Sequence, residues 1–97
     1  MERIWLKSYL PGMATDIDPN TLPSLKHMAE QSFATFRERA AYLQMGHRLT
    51  YGELDRKSRD LAAWLQNVAG LKRGDRMAIM LPNVLQYPIA MFAALRI

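Results

Sequence analysis

The clearest pattern of apolar and polar positions lies between residues 51 and 69. Apolar or small residues recur there at alternating intervals of three and four, as on one face of an α-helix. These residues are Tyr51, Leu54, Ser58, Leu61, Leu65 and Val68. Thr50 and Glu53 have the spacing of a capping box, and Gly70 suits the left-handed residue that ends a helix. The pattern predicts a helix from Tyr51 to Ala69 with one buried face.

Two shorter patterns precede this helix. Ser24 is a favourable helix cap, and the apolar residues Leu25, Ala29, Phe33 and Phe36 follow it at helical spacing. The next residues read as a hairpin, with strands at Ala41–Met45 and Arg48–Thr50 and a turn at Gly46-His47. Residues 24–50 are therefore expected to form a helix followed by a hairpin.

The residues after Gly70 predict a strand and a last helix. Met77–Leu81 is apolar without alternation, as in a strand of a parallel sheet that helices cover on both faces. Val84–Ile97 has apolar residues on all sides, with Asn83 as its cap and Pro88 expected to kink it or delay its start. Ninety-seven residues cannot cover both elements, so we expect the start of a longer polypeptide, cut within this helix.

The first 23 residues have no regular period. Proline, glycine and asparagine interrupt them at Pro11-Gly12, Asp18-Pro19-Asn20 and Pro23. Trp5 and Leu10 are nevertheless large apolar residues, so we expect this segment to lie against a surface. The chain then divides into an extended N-terminal arm, residues 1–23, and the start of one domain, residues 24–97.

Composition narrows the class of protein. A hydrophobic fraction of 49% and a charged fraction of 23% are those of an ordinary globular domain. The absence of cysteine excludes disulfides and thiolate metal sites. The net charge of +4 comes from scattered residues, which favours a solvated surface over a nucleic-acid interface. No apolar stretch reaches the length of a signal peptide core or membrane span, so a cytoplasmic location is expected.

The turn from Gly70 to Arg76 superficially resembles a phosphate-binding loop. In a P-loop the two glycines are one residue further apart, and Lys-Ser or Lys-Thr follows them, where this chain has Asp75-Arg76. The turn also follows a helix C-terminus, where the helix dipole favours cations such as Lys72 and Arg73. We therefore interpret it as a structural corner.

Other candidate residues also lack the context that chemistry requires. The two histidines, His27 and His47, lie on different elements without a carboxylate at ligand spacing. No serine has a nucleophile-elbow sequence, and Ser58 is expected to allow close helix packing. The aromatic side chains of Trp5, Trp64 and Tyr87 are expected in a core or interface. The residues predict no catalytic, cofactor-binding or metal-binding site in this chain.

Residues 49–96 nevertheless resemble the N-terminal region of the adenylate-forming superfamily, which includes acyl-CoA synthetases, luciferases and peptide-synthetase adenylation domains. The family pattern is Thr-Tyr-x-Glu-Leu at the start of a helix, then Gly-x-x-x-Gly-Asp-Arg-Val, an apolar strand and a Pro-Asn turn. The matching positions are Thr50, Tyr51, Glu53, Leu54, Gly70, Gly74, Asp75, Arg76 and Pro82-Asn83, with Met77 in place of valine. More narrowly, the chain resembles bacterial long-chain fatty acid–CoA ligases in the arm sequence IWLKSYLPGMATDIDPNTLPSL together with YLQMGHRLTY and LPNVLQYPIAMFAALR.

The resemblance implies an α/β fold in which three helices pack on short strands, an incomplete portion of a large N-terminal AMP-binding domain. It also implies a parent enzyme that activates a long-chain fatty acid with ATP and magnesium to acyl-AMP, then transfers it to coenzyme A. The phosphate loop and other working motifs of the family lie downstream. We therefore expect the 97 residues alone to be inactive, to bind no cofactor, and to self-associate through their uncovered apolar surface.

Two alternatives remain at this point. An aryl- or medium-chain CoA ligase, or a peptide-synthetase adenylation domain, would share the superfamily pattern. A small basic interaction module that binds nucleic acid is a more distant alternative. The parent enzyme is also expected to contact the inner face of a membrane, through the apolar arm and the modest positive charge.

Overall fold

A computed structural model describes all 97 residues and contains three α-helices and one β-hairpin. The elements are a 3-10 helix at Ile4–Ser8, α1 (Leu25–Thr35), β1 (Ala40–Gln44), β2 (His47–Thr50), α2 (Tyr51–Asn67) and α3 (Gln86–Arg96). Three helices and a two-stranded sheet confirm the predicted α/β class. No helix is both long and apolar enough to cross a membrane.

Helix α2 begins with the predicted capping box. The Thr50 hydroxyl accepts a hydrogen bond from the Glu53 backbone N–H at 3.1 Å, and the Glu53 carboxylate accepts one from the Thr50 N–H at 2.9 Å. The second bond holds the pKa of Glu53 below its usual value. The helix ends at Asn67, two residues before the predicted end, and Gly70 follows with φ of 75°. Local sequence therefore sets both ends of this helix.

The hairpin differs from the prediction by one residue. Its turn is Met45-Gly46, and both residues have positive φ, 47° and 80°. Two consecutive residues with positive φ form the type I′ turn that joins antiparallel strands most tightly. Gln44 therefore pairs with His47 across the turn. The predicted turn at Gly46-His47 was wrong because it left Met45 in the strand.

Helix α3 begins at Gln86, two residues after Val84, so the delayed start predicted from Pro88 is confirmed. Pro88 lies in its first turn, where a backbone N–H needs no helical partner, so the proline delays the helix start. Asn83 does not cap the helix, contrary to prediction. The side chain of Gln44, from β1, instead accepts a hydrogen bond from the Leu85 N–H at 3.1 Å. A residue 41 positions away therefore supports the start of α3.

The core consists of two small clusters along the helices. The first contains Ala29, Phe33, Leu49 and Leu54, and the ring of Phe92 meets Phe33 edge-on at 5.3 Å. The second contains Ala62, Leu65 and Ala93, where α2 and α3 pack together. The hairpin and all three helices thus meet at the first cluster.

The predicted buried strand at Met77–Leu81 is not formed. Residues 76–81 make no backbone–backbone hydrogen bond, and Met80 is 97% exposed. Met77 and Ile79 are half-buried, and Met77 packs against the second cluster. The prediction was wrong because the hairpin is the only sheet, so this segment has no neighbouring strand.

The N-terminal arm does not pack on the helices as expected. Its 3-10 helix contacts no other element, and Trp5 and Ile17 are 45% and 92% exposed. Within the arm, Arg3 forms an ion pair with Asp16 at 2.7 Å, donates to the Thr15 carbonyl at 2.9 Å and lies over the Trp5 ring at 5.8 Å. Leu6 is half-buried, and the other large apolar side chains of the arm are exposed.

Candidate functional site

The turn between α2 and Met77 is closed by its own side chains. Gly70 and Gly74 both have positive φ, as chain reversal at these positions requires. The Asp75 carboxylate accepts a hydrogen bond from the Lys72 N–H at 2.8 Å, and the Asp75 N–H donates to the Lys72 carbonyl at 3.0 Å. A carboxylate therefore holds a backbone N–H that a bound phosphate would need, which supports the structural interpretation of this turn.

The most highly organised polar group in the chain is a cluster around Arg96. The Arg96 guanidinium bonds to the Asp55 carboxylate, to the Ser58 hydroxyl at 3.2 Å and to the Glu30 carboxylate at 3.3 Å. It also lies over the ring of Phe33, 5.4 Å from the centroid. The cluster links the end of α3 to α1 and α2.

Burial and charge act against each other on Asp55. Its side chain is only 13% exposed, and this burial raises its pKa. Hydrogen bonds and positive charge from Arg59 and Arg96 outweigh burial, so the pKa lies below its ordinary value. Arg59, four residues further along α2, bonds to the same carboxylate at 3.0 Å. Asp55 is therefore ionised at neutral pH and anchors both arginines.

Ser58 is fully buried, and its hydroxyl both donates and accepts a hydrogen bond. It donates to the Asp55 carbonyl at 3.1 Å and accepts from Arg96. None of its partners is a base, so the arrangement gives Ser58 no route to activation as a nucleophile. The predicted role in close packing is confirmed by its burial, and the hydrogen bond to Arg96 adds a role that the sequence did not reveal.

The remaining candidate residues lie apart from one another. His27 is exposed on α1 and His47 is exposed at the start of β2. No three side chains of His, Cys, Asp or Glu come together as a metal-binding group. Trp64 and Tyr87 are 53% and 39% exposed, so neither is buried in the core of this chain, and the prediction that they lie in a core or an interface stays a prediction. That the chain contains no catalytic or cofactor-binding residue stays a prediction.

An apolar groove of about 260 Å³ lies between the hairpin and the start of α3. Tyr42 and Leu43 line one side, and Val84 and Tyr87 line the other. One hydrogen bond joins the two sides of the groove: the Leu85 N–H donates to the side-chain oxygen of Gln44, so both of these atoms have a partner. The groove thus marks where the hairpin packs on α3 and offers no charged group to a ligand.

The geometry therefore describes a scaffold of helices, and comparison with known proteins identifies its class. A family model described as "AMP-binding enzyme" matches residues 29–97, and the chain belongs to this family. The division between an arm and a domain at residue 24 stays a prediction, since the match begins five residues later.

Curated relatives extend the similarity to the arm. The long-chain-fatty-acid–CoA ligase of Escherichia coli O6:H1 is 45% identical over 96 residues, which cover 99% of this chain and 17% of the relative. The ligases of the same name from Haemophilus influenzae and Bacillus subtilis are 44% and 35% identical, over 99% and 97% of this chain and 17% and 16% of their own lengths. The chain therefore spans about a sixth of these relatives. No solved structure shows significant similarity.

Proposed function

We propose that this chain is the N-terminal scaffold segment of a long-chain fatty acid–CoA ligase. The whole protein would activate a long-chain fatty acid with ATP and Mg²⁺ to acyl-AMP, release pyrophosphate, and transfer the acyl group to coenzyme A. Similarity over 99% of the chain to a long-chain ligase carries the proposal. That similarity includes residues 1–28, which lie outside the match to the broad family. The arm therefore favours the long-chain class over other adenylate-forming enzymes.

The scaffold role is supported by the polar groups of the chain, which form hydrogen bonds with one another. Asp75 closes the turn that most resembles a phosphate loop, and Arg96, Asp55 and Ser58 satisfy one another between helices. ATP, Mg²⁺ and coenzyme A would then be bound by residues outside this segment. The segment itself contributes the packed helices on which such a site is built.

A location in the cytoplasm, with peripheral contact at the inner face of a membrane, belongs to the same proposal. Its support is the arm, where Leu10 and Ile17 are 71% and 92% exposed, together with the chain's net charge of +4. Exposed apolar residues and a net positive charge suit the surface of an anionic bilayer. The substrate would place the enzyme in fatty acid metabolism.

The substrate class is tested with the polypeptide encoded by the whole reading frame around these residues. We expect ATP-dependent formation of acyl-CoA, with kcat/KM for palmitate at least about tenfold above that for octanoate, because each added methylene in an apolar pocket adds selectivity. Benzoate and free amino acids serve as controls for the aryl-ligase and adenylation-domain alternatives. A preference for either control, or no ATP-dependent release of pyrophosphate, would contradict the proposal.

A further inference from the structure

We draw no further inference here: the strongest candidate, the apolar groove between the hairpin and the start of α3, has no charged side chain in its lining, and nothing in the structure shows what covers it.

Discussion

Arg96→Met is expected to lower the free energy of unfolding by about 2–3 kcal/mol, because it leaves the Asp55 carboxylate desolvated without its main buried partner. The Arg96 side chain is 9% exposed and bonds to α1 and α2 at once. Methionine preserves much of the packing over Phe33 but donates no hydrogen bond. Urea unfolding followed by circular dichroism, at one fixed protein concentration, measures the change.

Arg59→Met is the matched control, because Arg59 bonds to the same carboxylate from an exposed position. Its side chain is 66% exposed, so we expect Arg59→Met to lower the free energy of unfolding by no more than about 0.5 kcal/mol.

Because folding lowers the pKa of Asp55, the ion pairs of Asp55 stabilise the protein at pH values above the pKa that this carboxyl has in the unfolded chain. That contribution is lost as pH falls through the lower folded pKa. The effect of Arg96→Met should therefore shrink in acid. Equal effects of the two variants at pH 7 would contradict a buried role for Arg96.

Leu54→Ala is expected to lower the free energy of unfolding by about 3 kcal/mol, through lost burial and the cavity left behind. Leu54 is 1% exposed and joins α2 to Phe33 of α1 and Leu49 of the hairpin. With only nine buried residues in the chain, no other side chain substitutes for it. Thermal and urea unfolding of the variant measure the loss.

Leu43→Ala removes the same atoms from a position that is 74% exposed. We expect the free energy of unfolding to change by no more than about 0.5 kcal/mol, as for other surface substitutions. If Leu43→Ala costs as much as Leu54→Ala, the apolar core is not where the structure places it.

Features that depend on neighbouring residues in sequence could be predicted, and those that depend on distant residues could not. The capping box of Thr50 and Glu53 and the stop at Gly70 depend on residues within a few positions, and both are confirmed. The predicted cap of α3 at Asn83 was wrong, because the start of this helix is supported by Gln44, on the hairpin. The strand at Met77–Leu81 requires a neighbour that no local pattern can supply.

The same distinction applies to the candidate site. The sequence showed that the turn at Gly70 and Gly74 lacks P-loop spacing, and the Asp75 carboxylate in that turn agrees with this interpretation. The cluster around Arg96 was missed, because Glu30, Asp55 and Arg96 lie on three helices and share no motif. The one signal available was Ser58, a polar residue on the apolar stripe of α2. A buried hydroxyl needs a partner, and that partner is Arg96.

The chain belongs to the AMP-binding family, and we propose that it serves as a scaffold without a nucleotide site of its own. Isothermal titration calorimetry of the 97-residue chain with ATP, with and without Mg²⁺, tests it most directly. Only heats of dilution are expected, since the Asp75 carboxylate already accepts a hydrogen bond from the Lys72 N–H in the one loop that resembles a phosphate site. A saturable, stoichiometric ATP site in the folded chain would contradict it.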